Sequence, residues 1–250
     1  LEVKADLSHQ PVISGVLQQR IIGRHQLIIA GGAEYPRTDL VLIGAQFDDG
    51  IVHLAGQRQR PSRTRSVEKP WGRDRLPAPF VAPEGKRIGE IWFEPPAALD
   101  DLLVKYLFAS ENLSVQVHPD DAQALAATGR SEGKEECWLI TACEPGARIG
   151  IGFEEPLDAE TLKSAALDGS IEARMAWFDV VPGDFFYIPA NTVHAIGAGC
   201  SLIEIQQNSD ITYRLYDYGR PRELHLDVIP EAGERVPGLE VSQAVLERVL

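Results

Sequence analysis

The sequence predicts a mainly β protein, an antiparallel barrel or sandwich carrying a few short helices. Three observations predict it. Short strand-like runs recur at close spacing, separated by turns such as Pro145-Gly146 and Pro182-Gly183. Only Asp158 to Leu167 has a clear helical stripe. No internal repeat divides the 250 residues, a length that suits one large domain or two small ones.

The elements follow in order. Residues 1–53 mix short apolar runs with Gly and charge, and Phe47-Asp48-Asp49-Gly50-Ile51 has the form of a hairpin turn. Residues 57–66 form a basic polar segment, expected to be a solvated linker. A different texture begins at Lys69-Pro70-Trp71-Gly72. Gly89 to Phe93 alternates like a strand, whereas Leu102 to Phe108 fits strand or helix by periodicity alone. Asp120 can cap a short Ala-rich helix that Gly129 ends. Cys137 to Thr141 and Ile149 to Phe153 read as strands. Asp158 caps the clearest helix; Leu162, Ala165 and Ala166 form its apolar stripe and Gly169 stops it. Strands are then expected near Trp177–Val181, Phe185–Ile188, Thr192–Ile196 and Leu202–Gln207. Val241 to Leu250 has helical spacing and fits a frayed tail equally well.

Composition excludes several classes. A net charge of -13 argues against nucleic acid as the main partner. An anionic substrate would have to be met by local cations. The three cysteines, Cys137, Cys143 and Cys200, lack CxxC spacing. They form neither a disulfide framework nor a zinc knuckle and fit a reducing cytoplasm. The longest apolar runs, Leu27–Ala30 and Leu40–Ile43, fall far short of the ~20 residues of a membrane span. No signal sequence opens the chain, which begins with Leu. The oligomeric state has no signature here.

Candidate chemistry starts at Ser114-Val-Gln-Val-His118. In an extended strand, residues two apart share a face, so Ser114, Gln116 and His118 point the same way. An amide oxygen and an imidazole side by side can supply two ligands to one divalent ion. Glu136 opens an otherwise apolar strand, where a carboxylate is costly to bury unless paired or bound to metal. It shares a face with Trp138 and Ile140, opposite Glu135. Glu204 and Gln206 lie on one face of their strand and Ile203 and Ile205 on the other, which fits a barrel wall with a wet interior.

Gly183 to His194 reads G-x5-P-x-N-x2-H. This resembles the second motif of the cupin superfamily, with Asn191 where Gly is more usual. A tight turn in that motif presents a His from the returning strand into a barrel mouth. By that resemblance His194 is a ligand, and Gln116-x-His118 with Glu136 fill the places of the usual His-x-His and Glu. One amide, two imidazoles and one carboxylate suit a borderline divalent ion. Gln is a poor ligand in closed structural zinc sites, so its use points to an open one.

The ordered motifs K-P-W-G, G-E-x-W, L-S-V-Q-V-H-P-D-D, G-K-x-E-C-W, P-G-D-x-x-Y-I-P-A-N-T-V-H-A-I and I-E-I-Q-Q-N-S-D-I-T-Y-R-L-Y-D-Y run from Lys69 toward Asp227. Together they resemble type I mannose-6-phosphate isomerases of the short bacterial form. The resemblance implies a cupin-type barrel that interconverts mannose 6-phosphate and fructose 6-phosphate through an enediol, with one Zn2+ per chain. It implies zinc ligands at Gln116, His118, Glu136 and His194. Ser114, Lys105, Lys134 and Arg214 match positions near substrate. Arg214 matches the catalytic arginine and Glu204 a carboxylate of proton transfer. Glu204, His118 and Lys134 all remain open as the base.

Two departures shape the expected organisation. Residues 1–66 lie outside the resemblance and are expected to be a poorly ordered extension; with no initial Met they fit upstream sequence read through from a misplaced start. Residues 67–227 are the expected catalytic domain. Residues 228–250 are the expected short tail where this family carries a fuller second lobe, so the C-terminal lobe is expected to be reduced. A non-catalytic sugar-phosphate-binding cupin and another metal-dependent cupin enzyme, such as a dioxygenase, are the alternatives.

Overall fold

The protein is described by a computed structural model covering residues 16–22, 25–31, 41–47, 50–52, 63–95 and 100–228. The expectations for residues 57–62 and for Val241 to Leu250 lie outside the described residues. Two compact units are present, one holding the first four strands and the other everything described from Arg63 onward.

In the first unit β1 (Val16–Ile22), β2 (His25–Gly31), β3 (Val41–Phe47) and β4 (Gly50–Val52) form an antiparallel sheet in that order. Phe47 pairs with Gly50, which closes the hairpin expected at that turn.

The second unit holds the predicted antiparallel architecture as two sheets. The six-stranded sheet has the order β12-β9-β14-β7-β6-β5. Its strands are β5 (Thr64–Arg73), β6 (Ile88–Phe93), β7 (Leu102–Phe108), β9 (Glu136–Cys143), β12 (Phe185–Ile188) and β14 (Cys200–Gln207). The five-stranded sheet has the order β11-β10-β13-β8-β15. It comprises β8 (Val115–Val117), β10 (Arg148–Phe153), β11 (Met175–Asp179), β13 (His194–Ile196) and β15 (Tyr213–Tyr216).

Local chemistry explains the ends of the two longer helices. Helix α1 (Asp121–Thr128) starts in a capping box: Asp120 accepts from the Gln123 backbone while the Gln123 side chain accepts from the Asp120 N–H. Helix α2 (Ala159–Asp168) is capped by Asp158, buries Leu162, Ala165 and Ala166, and ends at Gly169 in the left-handed region. One further turn, α3 (Ile171–Arg174), is too short for any periodic signal.

Thr64 to Ser66, expected in the linker, belong to β5. This strand lies at the sheet edge, its first residues exposed, so polar side chains suit it as well as they would a linker. The K-P-W-G and G-E-x-W motifs meet where β5 crosses β6. A Cβ on Gly72 would sit 2.5 Å from the Gly89 nitrogen, so only glycine allows that approach.

One core cluster packs Trp71, Leu107, Trp138, Ile140, Ile149 and Leu202; a second packs Val115, Phe153, Leu162, Met175 and Leu215. All eight residues of β14 are buried. Among the described residues no helix is long and apolar enough to cross a membrane.

Candidate active site

Strand register assembles the polar residues. On the five-stranded sheet, His194 pairs with Gln116 and Gln116 with Arg214, so these three side chains share one face. On the six-stranded sheet, Trp138 pairs with Glu204, Glu204 with Lys105, and Lys105 with Trp92. Glu136 pairs with Gln206 one step along. Two tight turns bring the sheets' contributions together. A Cβ on Gly133 would lie 2.5 Å from the Asp120 carbonyl carbon, so glycine there lets Lys134 and Glu136 run beneath the His118 turn. Asn191, at φ 67, takes the left-handed conformation that Gly usually supplies. Its N–H donates to the His118 carbonyl at 2.7 Å and its amide to Asp120 at 3.3 Å, tying the two histidine turns together.

The centre is a buried cluster of His118, Glu136 and His194 whose ligand atoms lie within 4.8 Å of one another. His118 Nδ1 is 2.9 Å from the Ile211 carbonyl and His194 Nδ1 is 2.8 Å from the Thr192 carbonyl. A carbonyl only accepts, so each Nδ1 carries a proton and Nε2 is the ring atom that each histidine turns to the centre. Burial, then the Lys134 ammonium, hold His118 well below its ordinary value of 6.5, against the pull of Glu136. Burial also pushes the Glu136 carboxyl upward, but Lys134, His118 and His194 outweigh it and hold the group well below 4.5.

His194 Nε2 is 3.2 Å from Glu136 Oε1 and His118 Nε2 is 3.5 Å from Oε2. An Nε2 lone pair such as that of neutral His118 cannot donate to a carboxylate, and both Glu136 oxygens are buried without a directed hydrogen bond. Only cationic charge reconciles such a lone pair with a carboxylate. The Lys134 ammonium supplies some, 3.1 Å from Glu136 Oε2 and 2.9 Å from His118 Nε2. The nitrogen-and-carboxylate donor set fits a divalent ion of borderline softness, and Gln116 adjoins both imidazoles.

Beside this cluster Lys105 donates to Glu204 Oε1 at 3.0 Å and to Gln206 Oε1. Trp138 Nε1 donates to Glu204 Oε2 at 3.2 Å. Burial pushes the Lys105 ammonium down, but Glu204 and Glu90 outweigh it and raise it above 10.5, so it stays charged. Glu90 is a carboxylate of the site that the bare motif G-E-x-W leaves without a role. It accepts from Trp92 Nε1 at 2.6 Å and pairs with Lys69 at 3.1 Å. Burial raises its pKa, and Lys105 and Lys69 bring it below 4.5. The cost of burying a carboxylate in an apolar strand, the signal that points to Glu136, applies to Glu90 as well.

Arg214 is half-buried. Asp217 is taken by Arg220 at 2.9 Å and Arg222 at 2.5 Å. Arg214 therefore has no carboxylate ion-pair partner among the described residues, and its Nε is buried without a hydrogen bond. Burial and Arg222 lower its pKa, yet a guanidinium remains charged. Every residue expected in the site is thus placed in the two sheets or on the turns that join them.

The shifts set the pH dependence of the chelated protein. Glu136 and Glu90, held below 4.5, stabilise the fold above that value and lose the contribution as pH falls through their folded values. His118, held below 6.5, binds fewer protons folded than unfolded, so stability begins to fall once pH drops below 6.5. All three carry the same sign, each with a slope of at most about 1.4 kcal/mol per pH unit. Urea midpoints should decline steadily from neutral pH to the carboxylate range. A flat midpoint between pH about 6.5 and about 5 would contradict the buried neutral state of His118.

No family model matches the chain. It is 47% identical over 131 residues to the mannose-6-phosphate isomerase ManA of Bacillus subtilis, covering 50% of this chain and 41% of that protein. It is 41% identical over 144 residues to the mannose-6-phosphate isomerase of Streptococcus mutans, covering 55% of this chain and 45% of that one. The chain spans less than half the length of the curated relatives it matches. Among solved structures, the mannose 6-phosphate isomerase from Bacillus subtilis aligns with a TM-score of 0.58 and 31% identity, over 68% of this chain and 67% of that one. A point mutant of phosphomannose isomerase from Salmonella typhimurium, 14% identical, aligns with a TM-score of 0.52 over 68% of this chain and 72% of that one, a likeness of fold alone.

Proposed function

The chain belongs to the type I mannose-6-phosphate isomerase family, and on that premise we propose that it interconverts mannose 6-phosphate and fructose 6-phosphate. The carrying observation is the buried His118–Glu136–His194 cluster, whose ligand atoms lie within 4.8 Å of one another and whose carboxylate oxygens have no directed hydrogen bond. Gln116, His118, Glu136 and His194 would hold one zinc ion there. When bound, that ion supplies Lewis-acid stabilisation of the sugar oxygens without redox chemistry.

Aldose–ketose isomerisation moves a proton from C2 to C1 through an enediol. It needs a base for the carbon proton and positive charge for the developing enediolate. Glu204 is the base we favour. It is a buried carboxylate fixed by Lys105 on one oxygen and Trp138 on the other. Lys105 offsets the charge of Glu204 and lines the pocket with Gln206. Arg214 faces the enediolate or the phosphate, which carries up to about two negative charges. Lys134 completes the substrate side. Burial of Glu204, Lys105 and Trp138 excludes water from the proton path.

As a test, purified protein is incubated with mannose 6-phosphate, and fructose 6-phosphate is followed with and without a chelator. Conversion that the chelator abolishes and zinc restores is the expected result. Binding of the sugar phosphate without turnover would sink the enzymatic reading in favour of a binding protein.

A further inference from the structure

Ser114 lies immediately before β8, is 3% exposed, and faces the same way as Gln116. Its hydroxyl donates to Gln116 Oε1 at 3.0 Å. Gln116 Nε2 is 3.2 Å from His194 Nε2 and 3.5 Å from His118 Nε2. Rotation about the last side-chain bond exchanges the amide oxygen and nitrogen with almost no change of shape.

Only one of these two orientations makes Gln116 a ligand. An amide nitrogen has no free lone pair, so the oxygen must face the imidazoles and Glu136. The nitrogen then faces Ser114, whose hydroxyl accepts as readily as it donates. A side chain that cannot hydrogen-bond would leave that half-buried N–H without this partner and penalise the ligating orientation.

We propose that Ser114 is a positioning residue: it holds the Gln116 amide oxygen toward the His118–Glu136–His194 cluster and acts on the metal centre through Gln116, not on the sugar. The inference rests on the metal-centre reading above. Its support is the burial of Ser114 and the engagement of its hydroxyl by the amide.

A double-mutant comparison tests it. A carboxylate has two equivalent oxygens and offers nothing to orient, so Gln116→Glu should make Ser114 dispensable. Zinc affinity is measured by competition with a chromophoric chelator for the wild type, Ser114→Ala, Gln116→Glu and the double variant. Ser114→Ala should weaken zinc binding about tenfold in the Gln116 background and less than about threefold in the Glu background, the former being the lower end of what losing an outer hydrogen-bond partner costs. The KM of zinc-saturated Ser114→Ala for mannose 6-phosphate should match the wild type. Equal losses in both backgrounds, or unchanged zinc affinity with a raised KM, would overturn the proposal. A wild type that binds zinc but does not turn over the sugar would overturn the isomerase reading and leave this comparison intact.

Discussion

His194→Ala should purify without stoichiometric zinc and lose conversion of mannose 6-phosphate. His194 is the candidate ligand that joins the two sheets: it sits on β13, in register with Gln116, and its Nε2 lies 3.2 Å from Glu136 Oε1 of the opposite sheet. Its ring is aimed by the Thr192 carbonyl and packs edge-on against Trp138 at 5.4 Å. Removing a ligand should exceed the loss of about 10–100-fold in affinity that follows removal of an outer partner alone. The fold should survive, because Lys134 still pairs with Glu136. Metal content by elemental analysis and a circular-dichroism melt check both halves. Full zinc occupancy in the variant would remove His194 from the ligand set.

Arg214→Ala should behave in the opposite sense: zinc content stays at the wild-type level and turnover falls. Arg214 is in register with Gln116 across β15 and β8 but is not among the residues of the central cluster. It forms no ion pair among the described residues: Arg220 and Arg222 occupy Asp217, and burial and Arg222 outweigh the more distant pull of Asp217 and Glu223. A cation held free in a half-buried site stabilises an anion that appears only in the reaction. Removing one such group should lower kcat by about 10²–10³-fold. Arg214→Lys should recover part of the loss, since a point charge replaces the fork without its planar geometry. If Arg214→Ala emerges without zinc, the residue belongs to the metal centre and its assigned role is wrong.

Much of this was legible because its physics is local. Side chains two apart on a strand share a face, so Ser114, Gln116 and His118 could be grouped before any pairing was known. Capping chemistry gave α1 and α2 their ends at Asp120, Gly129, Asp158 and Gly169. What stayed hidden is long-range. Leu102 to Phe108 has no alternation because β7 is buried on both faces between β14 and β6. No spacing rule places His194 opposite Gln116 or Lys105 opposite Glu204; those follow from pairings between residues 78 and 99 positions apart. Edge placement made the start of β5 read as linker. The family resemblance pointed to these residues by motif, and the pairings give that grouping a geometry.

The strand order bears on synthesis. β14 lies between β7 and β9, although both are translated well before it. Until Cys200 to Gln207 leaves the ribosome, those two strands each present an open edge, and Glu136 and Lys105 have no strand between them. Such edges recruit other chains, and loop closure over this distance is slow. A single eight-residue segment, made late, therefore covers both of these edges at once.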